Sequence, residues 1–129
     1  MAKIMIVDDS AMSRRMLRDI LQSDGHEVIE AQDGMAALEG YFLQKPDLVM
    51  LDLIMRGMYG LDVLAKLREM DPKALAIVAS ADIQSSTRRL AVEAGAVGFI
   101  TKPFNGQEII AAVHRALAGE NGEPQPSSN

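Results

Sequence analysis

The chain has 129 residues, 13 basic against 18 acidic side chains, a formal net charge of −5 and no cysteine. This length suits one domain, and the missing cysteines exclude disulfides, thiolate metal sites and cysteine nucleophiles. The acid excess argues against direct nucleic-acid or membrane partners, because both need clustered lysine and arginine. The apolar runs are too short to cross a bilayer or to form a signal-peptide core, so we expect a cytoplasmic protein.

Short apolar runs alternate with amphipathic helical patterns along the chain, which predicts βα units around a parallel sheet. Three of the strands are nearly continuous apolar runs, as expected when helices cover both faces of the sheet. The strands are predicted at residues 3–7, 27–31, 48–51, 75–79 and 98–101. The helices that follow them are predicted at residues 11–22, 34–43, 61–70, 83–94 and 106–118.

Other patterns give finer expectations for packing and for the chain end. Met12, Met16 and Met50 occupy positions predicted to face the core. His26 and His114 lack a second ligand at metal spacing, and we assign them no role. Residues 119–129 have no apolar side chain and are rich in Gly, Pro and Ser, which predicts a disordered tail after a domain of residues 1–118. The tail is either a plain terminus or the start of a linker.

Polar residues follow four of the five predicted strands, where open parallel sheets bind their ligands. Three carboxylates at one sheet edge would repel one another, and Mg²⁺ with oxygen ligands relieves that repulsion. A hydroxyl and an ammonium at the same edge suit the oxygens of a phosphoryl group, with one aspartate as the nucleophile that forms an acyl phosphate. Taken singly, each acid is more simply a helix cap. The residues are Asp8, Asp9, Asp52, Ser80 and Lys102.

These residues and their surroundings resemble the receiver domain of two-component response regulators. The motifs are Val-Asp-Asp-Ser at 7–10, Asp-Leu-Val-Met-Leu-Asp-Leu-Ile-Met at 47–55 with Gly60, Ser-Ala at 80–81, and Gly-Ala-Val-Gly-Phe-Ile-Thr-Lys-Pro-Phe at 95–104. The resemblance runs from about residue 3 to residue 118. It implies an α/β fold in which five parallel strands, in the order 2-1-3-4-5, are flanked by five helices.

The resemblance also implies roles for single residues. Asp52 would be the phosphoacceptor, and Mg²⁺ would bind Asp8, Asp9, Asp52 and the backbone carbonyl of Ile54. Ser80 and Lys102 would contact the phosphoryl group, and Ser80 with Phe99 would form the conformational switch.

The implied partners are a histidine kinase or phosphotransfer protein as donor and an unidentified output protein. The output protein would bind the surface of helix four, strand five and helix five. A monomer is expected, with dimerisation on activation left open.

Several positions depart from the family pattern. Arg56 replaces a usual proline and Tyr59 replaces a small polar residue, while Phe99 lacks a tyrosine hydroxyl. Ile54 and Asp82 flank the path of a hydrolytic water, which leaves the phosphoryl lifetime open.

Two other functions compete with a stand-alone receiver. The chain could be the receiver portion of a longer transcription factor or hybrid kinase. A haloacid-dehalogenase-like phosphatase also uses an aspartyl phosphate, Mg²⁺, a hydroxyl and a lysine. Its nucleophile, however, belongs to an Asp-x-Asp pair after the first strand, whereas here the candidate follows the third.

Overall fold

The computed structural model describes residues 1–81 and 83–119, in which strands and helices alternate along the chain. The strands are β1 (Lys3–Val7), β2 (Glu27–Ala31), β3 (Leu48–Leu51), β4 (Ala76–Ser80) and β5 (Ala96–Thr101). The helices are α1 (Ala11–Ser23), α2 (Gly34–Gln44), α3 (Gly60–Met70), α4 (Ser85–Glu93) and α5 (Gly106–Leu117).

All strand pairs are parallel, and the strand order is β2-β1-β3-β4-β5, which confirms the predicted fold. Alternate residues of the central strands enter two separate hydrophobic cores, because side chains along a strand point to opposite faces of the sheet. Met5 and Val7 pack with residues of α2, α3 and α4, whereas Ile4 and Ile6 pack with residues of α1 and α5. The carboxyl ends of the strands lie together at one edge.

Side-chain caps begin three of the helices at this edge. Ser10 accepts a hydrogen bond from Ser13 N before α1, and Asp33 accepts one from Ala36 N before α2. Asn105 accepts one from the backbone N of Glu108 before α5. Such caps satisfy backbone donors that have no partner within the helix, so the loops that precede the helices are held in place.

Some element limits differ from the sequence prediction. β4 starts at Ala76 and includes Ser80, and β5 starts at Ala96, two residues earlier than predicted. The pairing of β4 with β5 is irregular between Ala76 and Ile77, and such irregularities leave little trace in apolar periodicity. α4 starts at Ser85 rather than at residue 83.

The prediction that Met12 and Met16 fill the core is wrong, whereas that for Met50 is confirmed. Met12 is 73% exposed and Met16 is 42% exposed, while Met50 is 1% exposed. The buried row of α1 consists of Leu17 and Leu21. Successive residues of a helix are about 100° apart, so the row that contains Met12 and Met16 lies at the edge of the buried face.

Residues 120–129, which carry most of the predicted tail, lie outside the described residues. Within the described part of the chain, every helix is too short or too polar to cross a membrane.

The loop between β3 and α3 passes very close to the first residue of α3. A Cβ atom on Gly60 would lie 2.4 Å from the Cα of Leu53 and 2.8 Å from the carbonyl oxygen of Asp52. Gly60 N also donates a hydrogen bond to the carbonyl of Leu53 at 3.1 Å. Only glycine allows this close approach, so the start of α3 packs directly against the backbone that carries Asp52.

We predict that Gly60→Ala lowers the free energy of unfolding by about 2 kcal/mol, because the added methyl group must displace backbone. Gly106 is the matched control, since it also begins a helix but has its nearest neighbour, Ile20, at 3.8 Å. Gly106→Ala should match or slightly exceed the wild type because alanine favours helix. Urea denaturation measures both, and equal stabilities of the two variants would contradict the steric argument.

Candidate functional site

Asp52 is a buried carboxylate directly after β3, with only 5% of its surface exposed. Its backbone N donates to the carbonyl of Val7 at 2.9 Å, which fixes it beside the end of β1. Oδ1 accepts hydrogen bonds from the hydroxyl of Ser80 at 2.8 Å and from the backbone N of Ile54 at 3.0 Å. The predicted contact between the end of β3 and the end of β4 is therefore present.

Lys102 brings a positive charge to the same carboxylate from the loop after β5. Its Nζ lies 3.2 Å from Asp52 Oδ2 and 3.0 Å from Asp8 Oδ2. Burial by itself would lower the pKa of Lys102, but its contacts with Asp8 and Asp52 outweigh burial and raise the pKa. Lys102 is therefore a firmly charged cation between two carboxylates.

Asp8 is the most deeply buried acid of the site, with 1% of its surface exposed. Oδ1 accepts a hydrogen bond from the backbone N of Ser10 at 2.8 Å. Oδ2 is buried and has no aligned hydrogen-bond donor among the described residues, although the Lys102 ammonium lies at ion-pair distance. Burial raises the pKa of Asp8, opposed in part by the Ser10 N–H and by Lys102.

The three carboxylates converge as the sequence predicts. Asp8, Asp9 and Asp52 each offer an oxygen within 4.8 Å of the other two. Asp9 is exposed, and its Oδ2 accepts a hydrogen bond from the backbone N of Arg56 at 3.2 Å. One buried oxygen without a hydrogen-bond donor, together with an exposed acid on the solvent side, fits a hard divalent cation such as Mg²⁺. A cleft of about 460 Å³ opens beside Asp9 and Arg56.

Phe99 is half-buried and packs against the core under α2, α3 and α4. The guanidinium of Arg88, on α4, lies 4.3 Å from the centre of its ring, within cation–π range. The role of Arg88 was not apparent from the sequence, because a helix residue and a strand residue can be paired only once the packing of the helix is known. Ile54 is 63% exposed, and Asp82 lies outside the described residues.

His26 and His114, to which the sequence assigned no role, meet at the opposite end of the sheet. Both Nε2 atoms lie near Asp24 Oδ2, at 3.0 and 2.8 Å. His26 Nδ1 accepts a hydrogen bond from the backbone N of Ala2, so in the neutral ring Nε2 carries the proton and donates to Asp24. The three side chains form a hydrogen-bonded cluster, and Nε2 of His26 would have to release its proton before it could bind a metal ion.

The geometry agrees with the comparisons to known proteins. The family described as "Response regulator receiver domain" matches residues 4–114. The chain belongs to this family. The chemotaxis protein CheY of Bacillus subtilis (strain 168) is 40% identical over 116 residues, which are 89% of this chain and 97% of that protein.

Solved structures of response regulators share the receiver fold. The structure of a two-component response regulator of the LuxR family from Aurantimonas sp. SI85-9A1 has a TM-score of 0.88 and 32% identity, covering 93% of this chain and 87% of that one. A CheX-CheY-BeF3-Mg²⁺ complex from Borrelia burgdorferi includes a chain with a TM-score of 0.83 and 32% identity, covering 86% of this chain and 85% of that chain.

The family assignment decides between the competing classes of function. Response regulator receiver domains are signalling switches and not enzymes that turn over external substrates. The prediction of a receiver domain is therefore confirmed at the level of the family, and the hypothesis of a haloacid-dehalogenase-like phosphatase is rejected.

We predict that Asp8→Asn raises the free energy of unfolding of the metal-free receiver at pH 7.5 by about 1 kcal/mol, a usual size for one substitution. Since burial raises the pKa of Asp8 in the folded state, the ionised form costs stability above that pKa. The advantage of the variant should shrink as the pH falls through the raised pKa toward the ordinary value.

Urea denaturation in EDTA at several pH values measures this difference. Asp19→Asn, on the exposed surface of α1, is the control and should show no comparable gain at pH 7.5. A loss of stability in Asp8→Asn at pH 7.5 would contradict the argument.

Proposed function

We propose that this receiver accepts a phosphoryl group on Asp52 from a histidine kinase or phosphotransfer protein. The observation that carries the proposal is the set of donors on one buried carboxylate: the Ser80 hydroxyl, the Ile54 N–H and the Lys102 ammonium all lie within 3.2 Å of Asp52 oxygens. Donors held in place in a buried site stabilise the charge that develops in phosphoryl transfer.

In the proposed reaction, an Asp52 oxygen attacks the phosphorus of a phosphohistidine. The new P–O bond forms as the P–N bond breaks, and the imidazole leaves with the electron pair and takes up a proton. Ser80 and Lys102 then exchange their contacts with the carboxylate for contacts with phosphoryl oxygens. A cleft lined by Asp9 and Arg56 lies beside the exposed acid of the cluster.

We assign Mg²⁺ binding to the carboxylates of Asp8, Asp9 and Asp52 and to the backbone carbonyl of Ile54. The buried Asp8 Oδ2 without a hydrogen-bond donor supports this assignment. When bound, Mg²⁺ neutralises charge on the carboxylates and on the phosphoryl oxygens. Lys102 contributes positive charge to the same site through its ion pairs with Asp8 and Asp52.

We further propose that phosphorylation is transmitted through Ser80 and Phe99 to the surface formed by α4, β5 and α5. Ser80 ends β4 and Phe99 lies in the adjacent β5, so a shift of the hydroxyl acts on neighbouring strands. Phe99 has no hydroxyl and packs under Arg88, so its change of position works through packing and the cation–π contact. An output protein on this surface and a cytoplasmic location complete the proposal.

The main test is covalent labelling at Asp52. With Mg²⁺ and acetyl phosphate, the intact mass of the wild type should rise by one phosphoryl group, and Asp52→Asn should not be labelled. Asp47→Asn is a control at an acid of the preceding loop and should be labelled like the wild type. Equal labelling of wild type and Asp52→Asn would contradict the assignment of Asp52 as the phosphoacceptor.

We also expect Asp9→Ala to weaken Mg²⁺ binding by at least tenfold, because the variant removes the solvent-side carboxylate of the cluster. Isothermal titration calorimetry with Mg²⁺ measures the change. Asp33→Ala, at the start of α2 beside the same cleft, removes a carboxylate outside the cluster and should leave affinity within about threefold. An unchanged titration in Asp9→Ala would count against the metal site.

A further inference from the structure

Two arginines on α1 pair with Glu30, and one of them, Arg14, also contacts the acidic site. Arg14 Nη1 donates a hydrogen bond to the backbone carbonyl of Asp8 at 2.7 Å, and its Nε donates to Glu30 Oε1 at 3.0 Å. Arg18 Nη1 donates to Glu30 Oε2 at 2.7 Å.

The Arg14 side chain is held on both sides. Only 16% of it is exposed, and Glu30 receives Arg14 and Arg18 on separate carboxylate oxygens. Arg14 and Arg18 are four residues apart and therefore lie on one face of α1. Glu30 lies in β2, opposite Ile6 in the parallel pairing with β1, so the network joins α1, β2 and the end of β1.

We propose that Arg14 is a positioning residue for the metal-binding acids. The peptide unit that joins Asp8 and Asp9 is planar, so fixing the Asp8 carbonyl oxygen also fixes the backbone N of Asp9. The N–H of Asp8 donates to the Ala31 carbonyl at 3.2 Å, so both sides of Asp8 are anchored. Arg14 thereby sets the direction in which Asp8 and Asp9 leave the backbone. This inference rests on the proposed function, because it concerns the cation of that site.

The direction in which Mg²⁺ affinity changes when Arg14 is removed distinguishes a positioning effect from a purely electrostatic one. A positive guanidinium near the acids repels a second cation, so its removal should tighten Mg²⁺ binding if charge alone matters. If Arg14 positions the acids, its removal should weaken binding, since groups that orient metal ligands typically change affinity by about 10- to 100-fold.

The experiment compares Arg14→Met with Arg18→Met in Mg²⁺ titrations by calorimetry. Both variants remove one positive charge that pairs with Glu30, and both keep an apolar stem. We expect about tenfold weaker binding in Arg14→Met and binding equal to or tighter than wild type in Arg18→Met.

Equal or tighter binding in Arg14→Met, or the same weakening in both variants, would overturn the inference. Urea denaturation checks that the variants are folded at the titration temperature. If Arg14→Met does not fold, Arg14→Lys replaces it. A single ammonium cannot reproduce the two separate contacts of a guanidinium, so weaker binding supports the inference and wild-type binding overturns it.

Mg²⁺ titration of the wild type and of Asp9→Ala distinguishes a failure of this inference from a failure of the proposed metal site. Mg²⁺ binding that is lost in Asp9→Ala but unchanged in Arg14→Met would overturn the positioning role alone. Absence of Mg²⁺ binding by the wild type would overturn both the metal assignment and the role of Arg14.

Discussion

Two buried carboxylates side by side are the constraint on which the rest of the site depends. Val7 and Leu51 pair across the parallel strands β1 and β3, so the residues that follow them, Asp8 and Asp52, emerge next to each other at the sheet edge. Mutual repulsion and burial both work against this arrangement. Lys102 reaches them from the loop after β5, two strands away from β3, and supplies the compensating charge.

The register of β5 allows that reach. Ser80 pairs with Thr101, so Lys102 begins immediately beyond the end of β4, and its backbone N donates to the Ser80 carbonyl at 2.9 Å. The irregularity between Ala76 and Ile77 sets this pairing. In a sheet, a register shift of one residue moves each side chain to the opposite face. Without the irregularity, the residues at the end of β5 would therefore face away from their present positions relative to the site.

The site costs stability, which the two cores must supply. The raised pKa of Asp8 shows that its ionised form is unfavourable in the folded protein. The core side chains of β1 and β3, such as Ile4, Met50 and Leu51, are almost completely removed from water. Burial of such side chains contributes about 1.5–3 kcal/mol each relative to exposure, which offsets the cost of the buried carboxylates. Gly60 adds a close backbone approach between the start of α3 and the loop after Asp52.

The sequence by itself determined the alternation of strands and helices and the polar residues at the strand ends. Apolar periodicity and the residues that end each strand are local properties of the sequence, so they can be recognised without knowledge of the packing. The predicted residues Asp8, Asp9, Asp52, Ser80 and Lys102 do meet at one sheet edge, although the strand order came from resemblance rather than from periodicity.

Only the tertiary structure decided how helices rotate and how strands are registered. The exposure of Met12, the hydrogen bond of Arg14 to Asp8 and the stacking of Arg88 on Phe99 all depend on those two variables. The same is true of the contact between Asp24 and His114, which are 90 residues apart in the chain. Local sequence patterns specify which residues a helix can bury, whereas contacts between elements follow from the packing of the whole sheet.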